Sequence, residues 1–156
     1  MIMSIRPKRV FLVRVYMRNT KYLVIGRDNM YCESFTDKVI DHFMAPRNCG
    51  TMPDANGEGS FGDPGCGDYL TIQIKVKDNC IEDIKFLVFG CTAAVASSSM
   101  TTVLAKGKTL EEALLITDKD IADALDGLPE HKLHCSVLGA SALKNAIKDY
   151  TTKINA

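Results

Sequence analysis

The sequence lacks net charge, and it lacks any apolar run long enough to cross a membrane. Its 156 residues include 19 Lys or Arg and 19 Asp or Glu. A membrane-spanning helix needs about 20 consecutive apolar residues, whereas the early apolar stretches are short and interrupted by Arg. The same interruptions argue against a secretory signal peptide. We therefore expect a cytoplasmic protein, of a length that suits one domain with a short additional segment.

The zero net charge hides an uneven distribution along the chain. Residues 1–27 hold seven of the 19 basic residues and none of the 19 acidic ones, so the remainder carries 12 against 19, a net charge of −7. An acidic body of this kind argues against nucleic-acid binding.

The first 29 residues present a separate question. They could be an Arg-rich organelle presequence, although many β-branched residues make a poor amphipathic helix. They could form a hairpin, since "VFLVRVYM" and "YLVIG" flank "RNTK". Met30 could also be the natural start. We predict that residues 1–29 are a basic extension outside the functional fold and that 30–156 form the domain.

The order of the predicted elements favours an α+β fold. Ser34 or Thr36 can cap a short helix that ends at Pro46, and a loop rich in Gly, Asp and Pro follows, with a short strand near residues 59–61. "DYLTIQIKV" and "IEDIKFLVFG" then read as strands joined at "KDNC". The rest is helix-like, including a last helix over about 136–150. Strands followed by helices predict an antiparallel sheet with helices on one face.

Six cysteines in a reducing compartment point to metal or thiol chemistry more than to disulfides. They are Cys32, Cys49, Cys66, Cys80, Cys91 and Cys135. If the hairpin turn is centred on Asp78-Asn79, positions that sum to 157 face each other, which places Cys66 opposite Cys91 at the open end. Asp68 lies on the same side of its strand as Cys66.

The same geometry places Cys80 at the turn, on the order of 30 Å away at ~3.3 Å per residue. Cys49 has no charged or His neighbour at useful spacing, and Cys32 belongs to the front segment of uncertain role, so all three are interpreted as ordinary thiols.

Cys91 and Cys135 are each predicted to precede a helix, where the helix dipole and free N–H groups stabilise thiolates. With Cys66, Asp68 and His134 they make a metal-site inventory. Taken singly, His134 could be a solvated histidine and Cys135 a buried structural thiol. A catalytic His134–Cys135 dyad is disfavoured, because adjacent side chains usually diverge.

The motifs "GCGD" (65–68), "FGCTAAVASSS" (89–99) and "KLHCSVLG" (132–139) resemble those of the iron–sulfur cluster assembly scaffolds, the IscU proteins and the N-terminal domain of NifU. The resemblance extends over about residues 34–152, including "DHFMAPRNCG" and "IADALDGLP". It implies a SufE-like α+β fold with a three-stranded antiparallel sheet. It also implies a scaffold rather than an enzyme, on which a labile [2Fe-2S] cluster is built and then transferred.

The resemblance also implies roles for individual residues. Cys66, Cys91 and Cys135 would be the ligand and sulfur-accepting thiols, with Cys135 the persulfide candidate. Asp68 would keep the cluster labile, and Asp68 and His134 compete as the fourth ligand. Lys132 would be the supporting basic residue.

The implied partners are a cysteine desulfurase of the NifS or IscS type, an iron donor such as a frataxin-like protein, and recipient apo-proteins; no nucleic acid or membrane is implied. The chain reads "LPEHK" where the IscU branch has a Pro-Pro-Val-Lys chaperone-recognition stretch. This difference favours the NifU-like branch and leaves an Hsp70-type chaperone as an open partner.

Two other functions fit parts of the pattern. One is a zinc-bound sulfur acceptor that stimulates a desulfurase, as in the SufU branch, although that branch typically carries an insertion between the second and third cysteines and lacks the histidine. The other is a thiol-rich protein-binding domain without metal.

Overall fold

The computed structural model describes residues 11–17, 20–26, 35–63 and 67–156. Within them lie two antiparallel sheets, one of two strands and one of three, and five α-helices. Two of the helices pack against the three-stranded sheet and the others pack chiefly on those two, an arrangement that confirms the predicted α+β class. No helix in these ranges is long and apolar enough to span a bilayer.

The three-stranded sheet has the order β3-β4-β5, with β3 at Gly57–Asp63, β4 at Asp68–Lys77 and β5 at Cys80–Phe89. Alternation along β4 buries every second side chain and leaves the others half-exposed, as expected for a sheet covered on one face. The buried residues of β4 are Leu70, Ile72, Ile74 and Val76. This face forms the centre of the core.

The β4–β5 turn lies at Asp78 and Asn79, as predicted, and both have positive φ (51° and 62°). Such a turn matches the twist of the strands it joins. The predicted register is wrong beyond the first two pairs, because it shifts by one residue between Lys75 and Val76. Ile81 and Ile84 are both fully buried, yet they lie three residues apart and would face opposite sides of a regular strand. The bulge keeps both in the core.

Three of the helices begin at threonine caps. Helix α1 (Asp37–Met44) is capped by Thr36, whose hydroxyl accepts the N–H of Val39 at 3.2 Å. Helices α3 (Leu110–Leu114) and α4 (Asp118–Ala124) each start with a capping box, at Thr109 and Thr117. A 3₁₀ turn at Glu130–Lys132 leads into α5 (His134–Asn155).

Helix α2 (Thr92–Ala105) is buried along almost its whole length. Its small polar residues bond within the helix: Ser98 donates to the Ala94 carbonyl and Thr101 to the Ser97 carbonyl, both at 2.7 Å. A Cβ at Gly139 would lie only 2.0 Å from Thr101 Oγ1, so α5 crosses α2 at very close range. Small side chains therefore allow α2, α5 and the sheet to converge where the candidate site lies.

The basic N-terminal extension contains the hairpin that its sequence suggested. Strands β1 (Phe11–Met17) and β2 (Thr20–Gly26) pair antiparallel, from Met17–Thr20 to Phe11–Gly26, in a sheet separate from β3-β4-β5. Residues 1–10 and Cys32 lie outside the described residues. The assignment of 1–29 to an extension outside the functional fold stays a prediction.

A buried histidine in α1 makes the stability of the fold depend on pH. His42 Nδ1 lies 2.8 Å from Ser99 Oγ, which accepts the Arg47 N–H at 2.9 Å, so the Ser99 hydroxyl is free to donate to a neutral imidazole. Burial, and then the positive charge of Arg47, lower the pKa of His42 below its ordinary 6.5. The unfolded chain therefore binds this proton more readily than the folded chain does.

We expect the free energy of unfolding to fall as pH drops below about 6.5, where unfolded His42 takes up its proton. Urea titrations between pH 7.5 and pH 5.5 measure this loss. In His42→Gln the loss should shrink, whereas replacing the exposed His131 with Gln should leave it intact. An equal pH dependence in wild type and His42→Gln would contradict this role of His42.

Candidate metal and thiol site

The site is assembled from three separate parts of the fold. Asp68 is the first residue of β4 and follows Gly67, whose φ of 104° strongly favours glycine. Cys91 connects β5 to α2 and is the N-cap of that helix. His134 and Cys135 open α5. The sequence predicted that Cys135 precedes its helix, but α5 starts at His134, so Cys135 lies in the first turn.

The four side chains form a continuous series of contacts. Cys91 Sγ lies 3.5 Å from Cys135 Sγ, and Cys135 Sγ lies 3.6 Å from His134 Nε2. His134 Nε2 lies 3.9 Å from Asp68 Oδ2. The ligand atoms of Asp68, His134 and Cys135 all lie within 4.8 Å of one another. The structure thus brings together four of the five predicted ligands.

Exposure changes steeply across the site. Cys135 is fully buried and Cys91 is 7% exposed, whereas the side chains of Asp68 and His134 are 29% and 66% exposed. The two thiols therefore lie on the protein side, and the carboxylate and imidazole line the opening to solvent. A metal ion or sulfur atom would enter past Asp68 and His134.

The two thiols share a proton unequally. The pKa of Cys91 is lowered, chiefly because the Cys135 thiol donates a hydrogen bond to its thiolate, with help from the Ala94 backbone amide and the charge of Lys132. The pKa of Cys135 is raised, because its proton is held by Cys91 and because it is buried. The sequence predicted stabilised thiolates at both helix starts; the direction holds for Cys91, where the Ala94 amide adds to the Cys135 hydrogen bond, and is wrong for Cys135.

The remaining predicted positions have different outcomes. Cys66 lies outside the described residues, so its role as a ligand stays a prediction. Lys132 lies in the 3₁₀ turn before α5. Cys80 is partly buried beside the turn, at the far end of β4 and β5, and Cys49 is a buried thiol whose pKa burial raises. Both are free thiols, and neither is among the four side chains that contact one another at the site.

The spacing of the donors is suited to a metal. Two thiols, an imidazole and a carboxylate are the ligand types of zinc and iron sites. Bonds of 2.0–2.3 Å to one tetrahedral ion place neighbouring donors roughly 3.3–3.8 Å apart. The ligand atoms of Asp68, His134 and Cys135 lie within 4.8 Å of one another and include separations of 3.6 and 3.9 Å, so these three could share one ion, whereas Cys91 lies outside that group. A two-iron cluster needs donors spread over two irons, for which Cys66 would supply a further thiol.

Comparison with known proteins decides the family. The family model of the NifU-like N-terminal domain matches residues 34–156. The chain belongs to this family. The matched region starts after the basic extension and includes all five predicted ligands of this NifU-like domain.

Curated relatives of this NifU-like domain include iron-sulfur cluster assembly scaffold proteins. "Iron-sulfur cluster assembly scaffold protein IscU 1" of Archaeoglobus fulgidus is 61% identical over 119 residues, 76% of this chain and 78% of the relative. The protein described as an iron-sulfur cluster assembly scaffold protein IscU in Escherichia coli K12 is 48% identical over 127 residues, 79% of this chain and 98% of the relative.

Solved structures show the same fold at lower identity. A putative iron-sulfur cluster assembly scaffold protein for the SUF system from Fervidobacterium islandicum superposes with a TM-score of 0.61 at 21% identity, covering 72% of this chain and 96% of that one. The N-terminal part of a NifU-like protein from Brucella abortus gives 0.59 at 17% identity, with coverage of 76% and 94%. Both confirm the predicted fold.

Sequence reasoning missed the specific role of one residue. The residue is Gly90: an added Cβ there would lie 2.7 Å from Asp68 Oδ1. The available signal was its position, directly before Cys91 at the end of a strand. Its contact with a residue 22 positions earlier depends on the β4–β5 register, which the bulge changes.

Proposed function

We propose that this NifU-like domain is a scaffold on which a [2Fe-2S] cluster is assembled and from which it is transferred to recipient apo-proteins. The observation that supports this most directly is the junction of Cys91, Cys135, His134 and Asp68, brought from three separate elements to one partly open site. The protein acts as a carrier without a reaction of its own to turn over, and the cluster is its cargo. Its expected setting is the cytoplasm.

Sulfur delivery follows from the thiol chemistry. A scaffold thiolate attacks the outer sulfur of a persulfide on a cysteine desulfurase, and the desulfurase cysteine leaves as a thiolate. The lowered pKa of Cys91 makes it the more readily ionised thiol of the metal-free pair, whereas Cys135 must first release a more tightly held proton. Iron at the site would promote that release, because a coordinating thiol is deprotonated.

The exposed half of the site accounts for release. Thiolates are the preferred ligands of iron–sulfur clusters, and a carboxylate or imidazole in place of a fourth thiolate makes a weaker corner open to water. Asp68 and His134 occupy that position and are the more exposed donors. Either can be the fourth ligand beside Cys66, Cys91 and Cys135. Lys132 supports the site through the charge that lowers the pKa of Cys91.

Partners follow from the same chemistry. The scaffold needs a persulfide donor of the cysteine desulfurase type, an iron source such as a frataxin-like protein, and apo-protein recipients. Recognition by an Hsp70-type chaperone would depend on the segment "LPEHK" at 128–132.

Asp68→Ala is expected to make the assembled cluster persist longer. The variant lacks the weakly binding carboxylate ligand, and it is at that ligand position that water and recipient thiols displace the cluster. A release barrier higher by about 1.4 kcal/mol slows cluster loss about tenfold. The measurement is the decay of cluster absorbance after anaerobic reconstitution, with and without an apo-ferredoxin. Asp54→Ala, which removes an exposed carboxylate paired with Lys75, serves as the control and should decay like wild type. An unchanged lifetime in Asp68→Ala would refute the proposed role of Asp68.

A second function is favoured by one observation, the three ligand atoms of Asp68, His134 and Cys135 that lie within 4.8 Å of one another and could share a single ion. A zinc-bound domain of this kind would accept persulfide sulfur and stimulate a desulfurase without building a cluster. Metal analysis of anaerobically purified protein separates the two. Stoichiometric zinc with desulfurase stimulation and no cluster on reconstitution would favour the zinc form.

A further inference from the structure

Gly90 is buried between the end of β5 and the cysteine that caps α2. A Cβ built on it would lie 2.7 Å from Asp68 Oδ1, 3.4 Å from Asp68 Cγ and 2.8 Å from Ala94 Cβ. Carbon and oxygen atoms that are not bonded do not approach this closely. The carboxylate of Asp68 therefore occupies space that only a glycine at position 90 leaves open.

We propose that Gly90 is a positioning residue that holds the Asp68 carboxylate beside His134 and Cys135 by leaving room for it against the β5–α2 junction. This inference rests on the proposed function, since it concerns the same site. It assigns to Gly90 a role in cluster release that acts through Asp68 and involves no contact of its own with iron or sulfur.

The two neighbours of the missing Cβ differ in how easily they can move. Ala94 Cβ is fixed to the first turn of α2, and Ala94 is fully buried. Asp68 Oδ1 is the far end of a flexible side chain that is 29% exposed. A methyl group at position 90 would therefore displace the carboxylate, once the contact with Ala94 is relieved.

A second glycine touches Asp68 in a different way, and the contrast defines the role of Gly90. A Cβ at Gly62 would lie 2.3 Å from the Asp68 backbone oxygen, and Gly62 has a φ of 111°. Substitution there strains the β3–β4 ladder itself. Gly62 thus fixes the backbone of Asp68, whereas Gly90 fixes where its side chain points.

The test compares Gly90→Ala/Ala94→Gly with Ala94→Gly, in the full chain. Ala94→Gly removes the helix methyl with which a Cβ at position 90 would collide, so the remaining difference between the two variants reports on Asp68. We expect the crystal structure of the double variant to show the native fold, with Asp68 Oδ2 farther from His134 Nε2 than the native 3.9 Å. Zinc affinity of the metal-free protein, measured by chelator competition, should fall about tenfold relative to Ala94→Gly.

The double variant should also reproduce most of the longer cluster lifetime of Asp68→Ala. Adding Gly90→Ala to Asp68→Ala/Ala94→Gly should change zinc affinity and lifetime little, because the side chain through which Gly90 acts is already gone. A crystal structure of the double variant with Asp68 in its native place would overturn the inference, as would a full additional effect in the Asp68→Ala background. If Asp68→Ala itself fails to prolong the cluster, the proposed function of Asp68 fails, and the crystal structure still decides the positioning role.

Discussion

Cys135→Ser is expected to abolish cluster assembly on this domain while leaving the fold in place. Cys135 is fully buried and contacts both Cys91 Sγ and His134 Nε2. It therefore connects the buried thiol of Cys91 to the more exposed imidazole of His134. A serine hydroxyl fills nearly the same space but stays protonated, accepts no persulfide sulfur and binds iron poorly. The measurement is anaerobic reconstitution with a desulfurase, cysteine, ferrous iron and dithiothreitol, followed by absorbance and sulfide analysis.

Cys80→Ser is the matched control for this prediction. Cys80 is also a free thiol, but it lies beside the turn at the opposite end of β4 and β5. The Cys80→Ser protein should assemble a cluster as the wild-type protein does. A Cys135→Ser protein that still assembled and transferred a cluster would show that the site has been assigned to the wrong thiols.

Among the variants considered, Gly59→Ala should lower the free energy of unfolding the most. A Cβ at Gly59 would lie 2.1 Å from the Ala146 nitrogen, 2.5 Å from the Asn145 carbonyl carbon and 2.6 Å from the Ala142 oxygen. All three are backbone atoms of α5, which cannot shift without moving the whole helix. Overpacking at such a contact costs about 3 kcal/mol or more, which is a large part of the stability of a small domain. Urea denaturation at neutral pH measures the loss.

The damage in Gly59→Ala should extend to the site, because α5 carries His134 and Cys135 at its first turn. Gly107→Ala is the control: an added methyl there has no atom within 4 Å, so its cost is limited to the strain of a φ of 82°, about 1 kcal/mol. Equal midpoints for the two variants would contradict the close packing of α5 on β3.

The β4–β5 hairpin and the start of α1 could be predicted from local sequence. Alternation in "DYLTIQIKV", the Asp78-Asn79 turn and the threonine caps are each decided by neighbouring residues. The bulge was missed because it arises from the need to bury both Ile81 and Ile84, a requirement of the whole core. The length of β3 was underestimated because its glycines read as loop signals, whereas the structure uses Gly57 and Gly59 to admit the α5 backbone.

The residues of the candidate site could be predicted from the sequence, but the contacts between them could not. Cysteine spacing and the motif resemblance placed Asp68, Cys91, His134 and Cys135 in one site, and the structure confirms their proximity. Sequence could not show that His134 and Asp68 contact each other, nor that Gly90 makes room for the carboxylate. These depend on the approach of β4, the β5–α2 junction and α5, elements that meet only in the folded molecule.

The most direct test of the central claim is cluster transfer from the wild-type protein. The domain, reconstituted anaerobically with a cysteine desulfurase and ferrous iron and then separated from excess reagents, is mixed with an apo-ferredoxin. The account predicts equal amounts of iron and acid-labile sulfide on the domain, and their appearance together on the ferredoxin. Tightly bound zinc or iron without sulfide, and a ferredoxin that stays empty, would contradict it.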